Sequence, residues 1–419
     1  TLKLAFTAYF VALAIFIPIS GWCADRFGAK TVFAAAIGVF TLSSIGCALA
    51  WSLPSLVAGR FCQGLGGAMM LPVGRLILLR AIPKREMVSA MAWLGIPTLF
   101  APILGPPVGG FITTYQHWRG IFWLNVPVGL LGLALALWFV PQVREPDAPP
   151  LDWRGFALTG SGLSLFGFTL LGSRSTHPGP ALAMMAGGAA LLWLYVRHAR
   201  RMPHPIIDLT LLHSASLRIS IMGGNLFRLA VGALPFLLPL MLQLGFGMSA
   251  FQSGLLTFSA AVGAVTMKLT AAPILRRWGF RRVLLANAWI SSAMMAALAL
   301  FTAATPGPVI MAVLLVGGFF RSLQFTSLNT LGYADVAQAK MSRATALVAV
   351  AQQLSLAAGV AVAAMLLDAS RLAEGRQALV AVDFTRAFAA VGLLSLASIW
   401  WYRQLAADAG AEMSGHRAD

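Results

Sequence analysis

The sequence predicts an all-α polytopic membrane protein, and three observations carry that expectation. Mean hydropathy is +0.81, and 59% of the 419 residues are hydrophobic while only 10% are charged. A soluble domain carries about 25% charged residues. Apolar runs recur along the whole chain, each long enough to cross a hydrocarbon core of about 30 Å at roughly 1.5 Å per residue. Finally, most of the 30 Lys and Arg lie in the short loops between those runs. An excess of 30 basic over 13 acidic residues can mark a nucleic-acid binder, but this distribution is the one that a lipid bilayer selects. No nucleic-acid partner is expected. Cys23, Cys47 and Cys62 lie in or beside the runs at no metal-ligand spacing and read as small apolar packing residues.

Thirteen helical runs are expected, near 4–22, 31–51, 54–79, 88–113, 120–140, 155–173, 181–197, 217–243, 251–274, 283–303, 308–331, 343–368 and 384–402. If the loop after the first run faces the cytoplasm, the segments on its side hold nineteen Lys and Arg and the opposite side holds six. That bias fixes the orientation, with the C-terminus inside. The chain opens on Thr rather than Met and shows no signal peptide, which suggests a shortened N-terminus.

The ten residues Gly21–Lys30 (GWCADRFGAK) concentrate unusual chemistry between the first two runs. Gly21 and Gly28 permit close backbone approach and positive φ where the chain reverses. Asp25 is the first acid in the chain, with Arg26 and Lys30 beside it. Such a loop either simply holds two helices at the membrane face or forms a specific latch. The third run carries Arg60 and Gln63 one turn apart, followed by Gly64, Gly66, Gly67 and Ala68, a small-residue face that admits a close helix neighbour. An Arg in hydrocarbon costs about 2.5–3.5 kcal/mol on insertion scales, so Arg60 either meets a cavity or partner or is held by backbone carbonyls. The fourth run contains Gly95, Pro97, Pro102, Gly105, Pro106, Pro107, Gly109 and Gly110; its prolines remove backbone donors and kink the helix.

These stretches resemble the motifs of the major facilitator superfamily. Gly21, Ala24, Asp25, Arg26, Gly28 and Lys30 match its motif A, with Cys23 and Ala29 departing from it. Arg60, Gln63, Gly64, Gly66 and Ala68 match motif B, and APILGPPVGG at 101–110 resembles the antiporter motif C, with Pro107 as a departure. WRGIFWLNVPVG at 118–129 resembles the 14-helix drug/proton antiporters of the EmrB/QacA type, and stretches at 66–76, 225–239, 267–284 and 321–331 resemble the MdtD/HsrA-like subgroup. The resemblance implies a major facilitator fold with two six-helix bundles and two inserted helices. Because motif A follows the second helix in that family, thirteen of fourteen helices are expected here, the first lying upstream. The implied layout is an N-terminal bundle over 1–140, a linker with the inserted pair over 141–212, a C-terminal bundle over 213–405 and a cytoplasmic tail over 406–419. Parallel halves suit this fold, and RFGAK at 26–30 has an echo in RWGFR at 277–281 that lacks the acid.

The resemblance implies a proton-coupled exporter of small molecules or drugs, working as a monomer in the bacterial inner membrane without a cofactor other than the proton gradient. Motif A would latch the cytoplasmic gate through Asp25, Arg26 and Lys30, motif B would serve proton coupling, and motif C marks export. Substrate-cavity candidates are Arg75, Asn225, Arg228, Arg321, Gln324, Asn329 and Gln353, polar groups within apolar runs that serve either interhelical bonding or a cavity. Five basic residues lie deep within runs (Arg60, Arg75, Arg228, Lys268 and Arg321), and no acid lies at membrane depth. That balance makes export of a small organic anion such as a carboxylate the alternative to drug efflux. A membrane-embedded enzyme is a remote alternative, since the six histidines are scattered through loops and tail. The absence of a Gly-rich phosphate loop with a Lys argues against an ATP-driven pump.

Overall fold

The computed structural model describes residues 2–95, 108, 111–112, 115, 117–145, 148–172, 178–376 and 378–416, and among these residues it is helical with no strand. The first run does not form one span ending in a turn. Helix α1 (Leu2–Phe16) stops before Pro18, which has no N–H to continue the ladder, and α2 (Ser20–Phe27) restarts at a 58° bend. The expected loop at 21–30 is therefore mostly helix. Its real break is Gly28, at φ 92°, after which α3 (Ala29–Ala48) begins.

Helix α4 (Leu53–Ala81) carries motif B, and a helix α5, described over 87–95, follows. The expected fourth span continues into residues that mostly lie outside those described. Helix α6 (Gly120–Phe139) is apolar yet only 6% of its window is buried, as for a helix turned to lipid. The inserted pair is α7 (Trp153–Gly172) and α8 (Pro178–Ala199). Then come α9 (Ala215–Leu240), capped by the Ser214 hydroxyl, and α10 (Ala250–Ala297), opened by a Ser249/Gln252 capping box. The two expected spans, 251–274 and 283–303, are the two helices that meet within α10. They part only at Gly279 (φ 70°, ψ 165°), a backbone conformation that side-chain-bearing residues avoid. Helices α11 (Gly307–Leu331), α12 (Met341–Ala373), α13 (Ala381–Leu396), α14 (Ser398–Tyr402) and α15 (Ala411–Ser414) complete the chain. Eight described helices are long and apolar enough to cross a membrane, or nine if the bent α1–α2 pair is one span.

The chain divides into two compact units. One takes 1–81, 107–211 and 336–353; the other takes 82–106, 212–335 and 354–419. In each, glycines bring helices into contact where lipid supplies no driving force of its own. In the first unit, a Cβ on Gly64 would strike the Tyr9 carbonyl of α1, and one on Gly66 would lie 2.7 Å from the Ala36 carbonyl of α3. In the second unit the approach is reciprocal. Gly318 faces the Ala260 carbonyl while Gly263 faces the Leu315 carbonyl; Gly232 faces the Leu356 carbonyl while Gly359 faces the Leu229 carbonyl.

The α12–α13 connection is tied by charge. Asp383 is fully buried at the start of α13 and accepts two bonds from Arg376 (2.9 and 3.0 Å), one from Ser370 Oγ (2.6 Å) and one from the Val380 N–H (2.9 Å). Glu374 bridges Arg376 (2.6 Å) and Arg386 (2.5 Å). Hydrogen bonds from Arg386 and Arg376 hold the Glu374 carboxyl below its usual range.

Two predictions follow from this packing and pairing. Gly318→Val should destabilise the detergent-solubilised protein by about 1–3 kcal/mol, because the added side chain must push α10 and α11 apart. Gly38→Ala, at a position with open space around it, should leave the melting temperature unchanged. The second prediction concerns pH. Glu374 is easier to ionise folded than unfolded, so its contribution is present above the unfolded value of about 4.3 and is lost as pH falls through the lower folded value. Thermal melts should therefore separate wild type from Glu374→Gln at pH 7 and converge as pH drops below about 4.

Candidate functional site

Motif A is built around a buried carboxylate. Asp25, 8% exposed on α2, accepts from Arg80 Nη2 of α4 at 3.0 Å through Oδ1, and from the Ser342 hydroxyl at the start of α12 through Oδ2. Arg80 lies 3.9 Å from Glu145 as well. Gly21 makes the approach of α12 possible, since any Cβ there would strike the Ser342 carbonyl. It does so in ordinary helical conformation; only Gly28 uses positive φ. The linker then seats on the motif. Ala29 N–H donates to the Val143 carbonyl (2.7 Å), Glu145 N–H to the Asp25 carbonyl (3.2 Å), Lys30 N–H to Gln142 Oε1 (3.1 Å), and Trp22 Nε1 to the Pro149 carbonyl (2.8 Å).

Asp25 does not pair with its sequence neighbours Arg26 and Lys30. Arg26 is exposed, and among the described residues neither it nor Lys30 makes an ion pair. The reason is helical: successive side chains on α2 diverge around its axis, so residue 26 cannot share the face of residue 25. Arg80 and Ser342 replace them. Arg80 is visible in the sequence only as one more basic residue at a helix end, and Ser342 lies over three hundred positions from its partner with no signal of its own.

In motif B, Arg60 and Gln63 do share a face. Arg60 Nη1 donates to Gln63 Oε1, Gln63 Nε2 donates to Ser44 Oγ of α3 at 2.7 Å, and Asn125 of α6 lies 3.5 Å from the same hydroxyl. The Arg60 guanidinium stands 4.5 Å from the centre of the Tyr9 ring, a cation–π contact that partly replaces water for a charge inside an apolar span. Of the motif C residues, Gly95 is described. Pro102, Gly105, Pro106, Gly109 and Gly110 lie outside the described residues. Gly95 leaves room for Lys268 of α10, whose Nζ would lie 2.6 Å from a Cβ there and donates to Thr326 Oγ1 at 2.6 Å.

The cavity candidates fall into different settings. Arg75 is 5% exposed and reaches Gln352 of α12 at 3.5 Å, while neighbouring Gln353 is half-buried with no hydrogen bond among the described residues. Arg228 is 0% exposed. It donates to the Ser220 carbonyl (3.3 Å) and to Asn329 Oδ1 (3.2 Å), with the Phe325 ring 5.5 Å from the guanidinium. Asn225, though one turn from Arg228, is not hydrogen-bonded to it, and its carbonyl oxygen is buried without a partner among the described residues. Arg321 and Gln324 also fail to repeat the Arg60–Gln63 pairing. Gln324 is fully buried and turned to α10, accepting from Asn287 at 2.7 Å, while Arg321 is partly exposed beside Gly317 with no ion pair among the described residues. Asn287 is a tertiary partner that no short-range spacing announces.

If the Asp25–Arg80 pair is as buried as its geometry shows, Arg80→Gln should cost about 3–5 kcal/mol by leaving a buried carboxylate without its cation. Chemical denaturation in detergent measures it, and the double variant Asp25→Asn with Arg80→Gln should recover a large part of the loss.

The description of the Major Facilitator Superfamily matches residues 1–360 and again 220–412. The chain is 35% identical over 377 residues to the MdtD protein of Cronobacter sakazakii, named for multidrug resistance, covering 88% of this chain and 78% of the relative. It is 34% identical over 401 residues to HsrA of Haemophilus influenzae, named as a transport protein, covering 95% and 86%. Its fold is similar to that of the human organic anion transporter MFSD10, with TM-score 0.70, 16% identity, and coverage of 96% of this chain and 83% of that one. The proton:xylose symporter XylE gives TM-score 0.66, also at 16% identity, covering 99% and 88%. With the buried motif A carboxylate and the Arg60–Gln63 pair already in place, these matches fix the family: the chain belongs to the major facilitator superfamily, in its MdtD- and HsrA-like branch.

Proposed function

We propose that this protein exports small molecules from a bacterial cell by alternating access, driven by the proton gradient and acting as a monomer in the inner membrane with its C-terminus in the cytoplasm. The observation that carries the proposal is Asp25, buried between Arg80 of α4 and the first turn of α12. A carboxylate in that position is held charged by Arg80 and makes with Ser342 one charge-assisted contact that α12 must break to move, so it acts as a latch with two states rather than a static tie. The asymmetry of nineteen basic residues against six puts the latch on the cytoplasmic side. Family membership places the protein among carriers, so no catalytic residue is assigned.

Two cargo classes compete. The names of the MdtD relatives favour drugs. The charge of this chain favours a small organic anion, because Arg60, Arg75, Arg228, Lys268 and Arg321 lie in spans while the buried acids among the described residues sit at helix ends or in connections. Arg228 is closed off by its own partners. Arg60 is held by Gln63 and the Tyr9 ring and Arg75 reaches Gln352, so Lys268 and Arg321 are the cations on this reading that meet an anion.

Reconstituted protein under an imposed pH gradient separates the two cargo classes. Proton release on adding a small polycarboxylate such as citrate, abolished by Lys268→Met or Arg321→Gln, supports the anion reading; release on adding a lipophilic cation alone supports drug antiport. Asp25→Asn should insert normally and lose at least about tenfold in export rate, as expected when a coupling interaction of roughly 1.4 kcal/mol is removed. Near-normal export by that variant removes the latch from the mechanism.

A further inference from the structure

The inserted pair α7–α8 has no part in the motifs, yet its base is fastened with unusual thoroughness. Asp152, 4% exposed, caps α7 by accepting from the Gly155 N–H at 2.8 Å, meets His198 Nε2 of α8 at 2.8 Å and lies 3.4 Å from the Ile206 N–H. The Tyr195 hydroxyl both donates to the Ile207 carbonyl and accepts from the Ile207 N–H, each at 2.8 Å. These contacts fold the segment leaving α8 back onto the hairpin and bury Ile206 and Ile207. Asp208 comes next. Its Oδ1 is occupied by the Thr210 N–H and hydroxyl, which leaves Oδ2 aimed at Arg343 of α12, 3.5 Å away.

Arg343 adjoins Ser342, the residue that reaches Asp25. It lies in the first turn of α12, where the helix dipole disfavours a cation. A buried carboxylate from outside the helix offsets that cost, and His204 Nδ1, 3.3 Å from Arg343 Nη2, adds a second contact from the same segment. The same base is also fixed to the start of the chain. Gly160 of α7 packs against Ile15 of α1 (3.5 Å from a Cβ placed there to Ile15 Cγ2), and Phe156 stands 6.1 Å from Phe16, both at the end of α1 that bends into α2. The result is a closed ring of contacts: α2 to α1, α1 to α7, α7 and α8 to the exit segment, the exit segment to α12, and α12 back to Asp25.

We propose that Asp208 and Arg343 are positioning residues for the latch: the segment leaving the inserted pair holds the first turn of α12 in the register at which Ser342 bonds Asp25. The inserted helices then set how firmly the latch closes. This rests on the reading of Asp25 as a latch, and the test separates the two.

The experiment uses the full chain with Cys23, Cys47 and Cys62 replaced by Ser and Ala346→Cys as a probe. Ala346 is 1% exposed and packs one turn beyond Ser342, 3.5 Å from a Cβ placed on Gly21. Maleimide labelling at 346 reports opening of the contact, and export into vesicles reports turnover and KM. Asp208→Asn and Arg343→Gln should each raise the labelling rate about fivefold and lower turnover without changing KM, the scale of one partly exposed ion pair. The charge exchange, Asp208→Arg together with Arg343→Asp, should bring both readouts back towards the parent, which a merely misfolded hairpin would not do. Unchanged labelling in both single variants, while Asp25→Asn labels fast and fails to export, overturns this proposal and leaves the latch standing. If Asp25→Asn itself labels and exports like the parent, both readings fall.

Discussion

A carboxylate removed from water must be fully bonded or it will not stay charged, and that constraint at Asp25 organises much of the first unit. Its two oxygens are taken by Arg80 and Ser342. Satisfying them brings α2, α4 and the start of α12 to one point. Gly21 must then be glycine so that the backbone of α12 can come within reach, and Gly28 must take positive φ so that α3 can start at once and receive the linker. The linker in turn supplies Glu145, which shares Arg80. One buried acid thus explains two glycines, a serine, an arginine and the path of a connection.

The same economy governs the apolar helices. Lipid is as apolar as a leucine side chain, so burying leucine against leucine gains little within a bilayer, and tight backbone approach has to supply the association. Reciprocal glycines do this between α10 and α11 and between α9 and α12. Polar side chains then bond across the closed seams, as Asn287 does to Gln324 and Gln63 to Ser44. Such bonds fix which way each helix faces because their alternative is an unsatisfied group in hydrocarbon.

The limits of sequence reading follow from the range of each interaction. The apolar runs, the i to i+3 pairing of Arg60 with Gln63 and the need for glycine at 28 are local properties and could be read directly. The two spans joined in α10 and the bend after Phe16 are also local, but they depend on one φ value and one missing N–H inside an otherwise uniform apolar pattern. The partners of Asp25 are another matter. Periodicity placed Arg26 nearby in sequence, whereas helical geometry turned it away and folding supplied Arg80 and Ser342 from distant segments. Gln324 likewise takes its partner from a distant segment, accepting from Asn287 on α10 at 2.7 Å. What spacing cannot reveal is which neighbour the fold will present.

The cations in the spans differ in what the fold has done with them. Arg228 is fully enclosed, and the bonds described for it run to the Ser220 carbonyl and the Asn329 amide oxygen. Arg60 is treated similarly by Gln63 and the Tyr9 ring. On the proposed anion reading, a passing anion would meet Lys268, bonded to the Thr326 hydroxyl, and the partly exposed Arg321. A lipophilic cation would meet the same charges as a barrier. Those charges are the electrostatic ground on which the proposed anion cargo rests.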